Sequence, residues 1–74
     1  MHCAGHLSFY TPGKKSRFQI PIQPGSTLID VIKQTGVPIA EVVLAAINDE
    51  AVDIDTAIVQ LGDKVDLYPP MGGG

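Results

Sequence analysis

Hydrophobic and polar positions alternate with a period of two in the first third of the chain. In residues 7–11, Leu7 and Phe9 fall on one face and Ser8 and Tyr10 on the other; in residues 17–22, Phe18, Ile20 and Ile22 oppose Arg17, Gln19 and Pro21. That period belongs to a half-buried strand, and Pro12-Gly13-Lys14-Lys15 supplies a turn between the two runs. The pattern predicts a β-hairpin with one buried face. Pro24-Gly25 breaks it, and the spacing then changes: Leu28, Val31 and Ile32 share a helical stripe with Ile29 at its margin. Thr27 is placed as an N-cap with Asp30 three residues on, Gly36 as a left-handed C-cap, and Pro38 follows. These signals predict one amphipathic helix over residues 27–35, packed across the hairpin's apolar face.

Residues 42–47 are apolar on both faces. With Val43, Ala45 and Ile47 turned toward the helix, Leu44 and Ala46 point outward, on the side of Tyr68 and Tyr10. An apolar outer face on a small sheet predicts a partner surface. Asn48-Asp49-Glu50 reads as a turn in which Asn takes a positive φ. A short strand and turn over residues 52–58 and a tight turn at Leu61-Gly62-Asp63 lead to a last strand over residues 65–68. There Val65 and Leu67 point inward and Asp66 and Tyr68 outward. The order strand, strand, helix, strand, short strand, strand gives an α+β roll, a mixed sheet packed on one main helix. Its first and last strands form a central parallel pair joined by a helical crossover.

Composition narrows the class. At 74 residues and 45% hydrophobic content, with two Phe, two Tyr and no Trp, the chain is one small domain with an aliphatic core. The net charge of −3 and the scattered basic residues argue against a nucleic-acid partner. No apolar run reaches membrane-spanning length, residues 1–7 do not read as a signal peptide, and Cys3 is the single cysteine, so a cytoplasmic setting is expected. His2, Cys3 and His6 have metal-ligand side chains. They read as part of a terminus ahead of the first strand, one ligand short of a tetrahedral zinc site, and no metal is expected. Ser8, Ser16, Ser26 and Cys3 have no recognisable base partner in sequence. Lys14, Lys15 and Arg17 decorate a hairpin tip; Asp49, Glu50, Asp53 and Asp55 form either a solvated face or a docking face for a basic partner.

The candidate chemistry lies at Leu67-Tyr68-Pro69-Pro70-Met71-Gly72-Gly73-Gly74. Pro69 and Pro70 lack N–H groups, so they end sheet pairing and favour an extended exit. The glycines follow as a thread without side chains. Residues 69–74, read as an extended mobile tail on the 1–74 domain, reach on the order of 20 Å at about 3.3–3.6 Å per residue. That length carries a terminal carboxylate into another protein's active site. A carboxylate is ionised and unreactive at neutral pH, so it requires activation, the usual route being attack on the α-phosphate of ATP to form an acyl-adenylate. The competing reading is a plain flexible end.

Four stretches then fall in family order: Gly25-Ser26-Thr27-Leu28 with the helix start, Ala46-Ile47-Asn48-Asp49-Glu50-Ala51-Val52, Leu61-Gly62-Asp63-Lys64-Val65, and the Pro69-to-Gly74 tail. On these the chain resembles the ubiquitin-like β-grasp sulfur carriers, which include the molybdopterin-synthase small subunit and the thiamine-biosynthesis carrier. The resemblance implies a β-grasp fold and a Gly74 carboxylate that is adenylated and becomes a thiocarboxylate, with Gly73 completing the terminal pair. It implies no bound cofactor, ATP being used by a ubiquitin-activating-enzyme-like adenylyltransferase. A sulfur-accepting synthase is the second partner, of the molybdopterin-synthase large-subunit or thiazole-synthase kind. The chain is then a carrier and enzyme substrate, alone or as a synthase small subunit, and not an enzyme itself. Partner contacts are expected at Leu44, Ala46, Tyr68, Pro69, Pro70, Met71 and Gly72. The Pro69-Pro70 pair favours the molybdopterin type, whereas the short turn over residues 11–16 argues against it; Gly72 also stands where the family often has Ala. The pathway stays open. So do two other readings, a modifier conjugated through Gly74 and a non-conjugating β-grasp interaction domain.

Overall fold

The computed structural model describes residues 1–70. Its strands are β1 (His2–Cys3), β2 (Ser26–Thr27), β3 (Leu44–Ile47), β4 (Glu50–Val52), β5 (Ile58–Val59) and β6 (Val65–Tyr68), with one helix, α1 (Leu28–Thr35). The main sheet runs β1-β6-β3-β4, with β1 parallel to β6 and the other pairs antiparallel. β2 and β5 form a separate two-stranded antiparallel ribbon that the sequence pattern did not foretell. This is the expected α+β arrangement, a mixed sheet packed on one main helix with the first and last strands paired in parallel, but β1 stands at the edge of the four-stranded sheet, so only β6 of that pair is central.

The helix forms as its caps dictate. The Thr27 side chain accepts a hydrogen bond from the Asp30 N–H, and Gly36 closes the last turn at φ 86°. Leu28, Val31, Ile32 and Thr35 are its buried face. They join Cys3, Leu7, Ala45, Val59, Val65 and Leu67 in one core, which Val37 and Val42 complete. Thr35 is tolerated there because its hydroxyl donates to the Ile32 carbonyl at 2.6 Å and accepts from the Val37 N–H at 3.1 Å. A Cβ at Gly36 would lie 2.9 Å from the Tyr10 carbonyl oxygen, at a φ that L-residues avoid. Gly36→Ala is therefore expected to destabilise the fold by more than about 1 kcal/mol, measured by urea unfolding.

The predicted hairpin is displaced. Residues 7–11 form no strand: Gly5–Tyr10 winds as 3-10 turns, Pro12–Lys14 is a tight turn with Gly13 (φ 68°) and Lys14 (φ 54°) in the left-handed region, and the first strand is His2–Cys3 instead. Gly5, at φ 56°, turns the chain off the sheet directly after Ala4. The Thr11 hydroxyl then lies 2.8 Å from the Ser8 carbonyl and 2.7 Å from the Lys15 carbonyl, tying the turns together. The Leu7/Phe9 alternation consequently splits, with Leu7 buried and Phe9 68% exposed. The second predicted strand survives as a fragment. Cys3 N–H donates to the Ser16 carbonyl at 2.8 Å and Phe18 N–H to the Met1 carbonyl at 3.0 Å, around a single His2–Arg17 bridge. Phe18, Ile20 and Ile22 still pack on the core while Arg17, Gln19 and Pro21 are exposed, so the alternation is obeyed without a ladder. Pro21 has no N–H with which to extend one.

Candidate functional site

The candidate site is the end of β6 and the sheet face around it. β6 lies between β1 and β3, so its backbone is held on both sides up to the exit. Ala4 N–H donates to the Leu67 carbonyl at 2.9 Å, and Val43 N–H to the Tyr68 carbonyl at 3.0 Å. Pro69 and Pro70 come next, and neither has an N–H to continue the pairing. Pro69 is half-buried beside Gly5, and Pro70 is exposed. The other tail residues expected to act, Met71, Gly72, Gly73 and Gly74, lie outside the described residues, as does the expected mobility of the tail.

The start of β6 is fixed by a side-chain knot. The β3–β4 turn has positive φ at both Asn48 (52°) and Asp49 (69°), the primed geometry that suits a two-residue hairpin. From there the Asn48 amide donates to Asp63 Oδ1 at 3.0 Å, and Asn48 Oδ1 accepts from the Lys64 N–H at 2.9 Å. Asp63 Oδ2 accepts from the Gln60 N–H at 2.8 Å, closing the turn that holds Gly62 at φ 89°. Two distant turns are thus locked to one register, and that register decides which residues of β6 face out. Sequence reasoning saw Asn48 and Asp63 as turn residues, each on its own; their pairing across 15 positions has no local signature. Asn48→Ala and Asp63→Ala are expected to be non-additive, with a coupling of about 0.5–3 kcal/mol in a double-mutant cycle followed by chemical denaturation.

The outer face is set by Leu44 opposite Tyr68 and Ala46 opposite Asp66. Leu44 is 48% exposed as expected, whereas Ala46 and Tyr68 are half-buried. Two expectations, at Val43 and Tyr10, are corrected here, and a third, at Asp66, holds in direction but not in exposure. Val43 was assigned to the core side, yet it is 53% exposed: it precedes the ladder at the sheet's rim, beside the β6 exit. Asp66 does face outward but is only 6% exposed, because His2, its partner across the β1–β6 pair, sets Nδ1 3.4 Å from Asp66 Oδ1. Arg17, Lys64 and Phe18 line the same shallow hollow, of about 330 Å³. Tyr10 does not share the face of Tyr68; it ends a 3-10 turn whose carbonyl lies against Gly36 at the helix C-terminus.

The N-terminal residues are also re-placed. His2 and Cys3 do not precede the first strand but constitute it, with His2 on the outer face and the Cys3 side chain fully buried in the core. Burial pushes the Cys3 thiol pKa up, which keeps it in its unreactive form. His6 stands apart, with Nε2 3.3 Å from Glu41 Oε2. These three side chains do not converge, and among the described residues no group of three or more His, Cys, Asp or Glu is placed to hold a metal ion. Of the acids, Asp49 engages Lys64 Nζ at 3.1 Å, a hydrogen bond that raises the Lys64 pKa. Asp53 caps its own turn through the Asp55 N–H at 2.9 Å. Glu50, Asp53 and Asp55 are exposed. Among the described residues no helix is long and apolar enough to cross a membrane.

No curated protein and no solved structure matches the chain. The family model described as Mut7-C ubiquitin matches residues 5–72, which takes in the 3-10 turns, the helix, strands β2 to β6 and the root of the tail. A chain with this α+β sheet-on-helix architecture, matched over that span, has the ubiquitin-like β-grasp fold and belongs to the Mut7-C ubiquitin family.

Proposed function

We propose that this protein is a sulfur carrier whose Gly74 carboxylate is the working group. The observation that carries the proposal is the placement of Pro69 and Pro70. They leave the end of β6, a strand hydrogen-bonded on both flanks, next to a face that exposes Leu44. A partner gripping that face has a fixed origin from which to receive residues 71–74.

The chemistry belongs to the partners. A carboxylate oxygen of Gly74 attacks the α-phosphorus of ATP in a ubiquitin-activating-enzyme-like adenylyltransferase; a new P–O bond forms, the α–β bridge breaks and pyrophosphate leaves. Hydrosulfide then adds to the acyl carbon and expels AMP, giving a thiocarboxylate and releasing a proton. In a synthase of molybdopterin or thiazole type the sulfur passes to the acceptor, and water restores the carboxylate. The chain supplies position and partner recognition, binds no cofactor, and acts in the cytoplasm beside these enzymes.

A modifier conjugated through Gly74 would share the adenylation but end in an amide bond to a lysine. A plain interaction domain would share neither step. Adenylation is tested by adding the protein to a purified ubiquitin-activating-enzyme-like adenylyltransferase and following ATP–pyrophosphate exchange. The carrier reading expects exchange that depends on the protein. Absence of exchange with a folded protein and an active enzyme would contradict it.

A further inference from the structure

We propose that Gly5 is a positioning residue: its missing side chain is the notch that sets the direction in which the tail leaves the domain. The inference rests on the carrier reading only for its consequence, since the geometry stands without it. A Cβ built on Gly5 would lie 3.1 Å from Pro69 Cγ and 3.9 Å from Pro69 Cδ. The first distance is too close for ordinary packing. The Ala4 N–H to Leu67 carbonyl bond, 2.9 Å, clamps the backbone on either side, so neither chain can withdraw without breaking the end of the β1–β6 pair.

Pro69 is a good lever. Its ring fixes its own φ, and Pro70 holds the Pro69 ψ in the extended range. A ring displaced by a new methyl group therefore turns the chain as a unit instead of being absorbed by a soft torsion. The change of direction is carried through Pro70, the exposed residue at which the chain leaves the domain. Gly5 and Pro69 lie near opposite ends of the chain, so no local sequence pattern joins them.

Substituting Gly5 has two effects that must be separated. Its φ of +56° disfavours a side chain whatever the space, while a Cβ there would crowd the Pro69 ring and push it aside by a few tenths of an ångström. Asn tolerates positive φ better than Ala does, so Gly5→Asn keeps the crowding Cβ and lowers the backbone strain. Pro69→Ala removes Cγ and Cδ, the atoms that the Cβ meets.

The test is a double-mutant cycle in the full chain, Gly5→Asn against Pro69→Ala, with Gly5→Ala run in parallel. Two quantities are read: the amide shifts of Met71 and Gly72 in the isolated protein, and kcat/KM for pyrophosphate release with the cognate adenylyltransferase. With Pro69 present, Gly5→Asn should move both amides and lower kcat/KM by more than about threefold, since small misplacements of a reacting group already slow the step. In the Pro69→Ala background the same change should leave the amides in place and alter kcat/KM by less than about twofold. Equal effects in the two backgrounds would overturn the proposal, since strain at Gly5 alone would then account for them. Unmoved amides with Pro69 present would overturn it as well. If the unsubstituted protein is not adenylated at all, the carrier reading fails, and the amide shifts alone decide the role of Gly5.

Discussion

Deleting Gly74, or appending a single residue after it, should abolish adenylation while leaving the domain folded. The reacting atom in this account is one oxygen of one terminal carboxylate. Deletion draws that oxygen back by about 3.3–3.6 Å, and extension replaces it with an amide carbonyl that is no nucleophile. Misplacements near 1 Å already cost on the order of a hundredfold, so several times that distance should bring turnover to background. The core should be unaffected, because its buried residues end at Leu67 within β6. Pyrophosphate release with the cognate enzyme and ATP measures the first effect, and an unchanged denaturation midpoint the second. Undiminished release from either variant would place the reactive site elsewhere.

Leu44→Asp should separate binding from stability. Leu44 is 48% exposed on the outer face opposite Tyr68, so the cost to folding is the lost cross-strand contact, about 0.2–1 kcal/mol. If this face docks the adenylyltransferase, the same carboxylate would be buried without a partner charge, at about 3–5 kcal/mol. That corresponds to a loss of more than about a hundredfold in affinity. Titration calorimetry against the enzyme, alongside urea unfolding of the free variant, gives both numbers. A variant that binds normally would remove this face from the interface; one that unfolds would make Leu44 a core residue.

The legible parts of the molecule are those with a strong local cause. The helix was readable because Thr27, Asp30 and Gly36 cap a stripe made by Leu28, Val31 and Ile32, and all of these act where expected. The last strand was readable because Val65 and Leu67 alternate behind the turn at Gly62, and both are buried. Two-residue strands have no such signature. His2–Cys3 and Ser26–Thr27 are too short for any period to register, and each is created by its partner, β6 or β5. The alternation at Leu7 and Phe9 then drew the first strand onto a segment that Gly5 and Thr11 wind into turns.

The site divides along the same line. Leu44 was placed on the outer face by parity alone, and parity holds in the middle of a ladder. At the rim it fails: Val43 has the inward parity but no layer above it, and Asp66 has the outward parity but is covered by its neighbour on β1. The contact of Asn48 with Asp63 pairs two residues that local turn chemistry already explains, and Gly5 meets Pro69 from the opposite end of the chain, so neither pairing has a local signature.

The central claim is tested most directly by the intact mass of the protein after incubation with the cognate adenylyltransferase, ATP and sulfide. A sulfur carrier gains about 16 Da, the replacement of one carboxylate oxygen by sulfur, and loses that increment when Gly74 is deleted. A population that stays at its original mass, or that shifts into covalent conjugates with other proteins, would contradict the account.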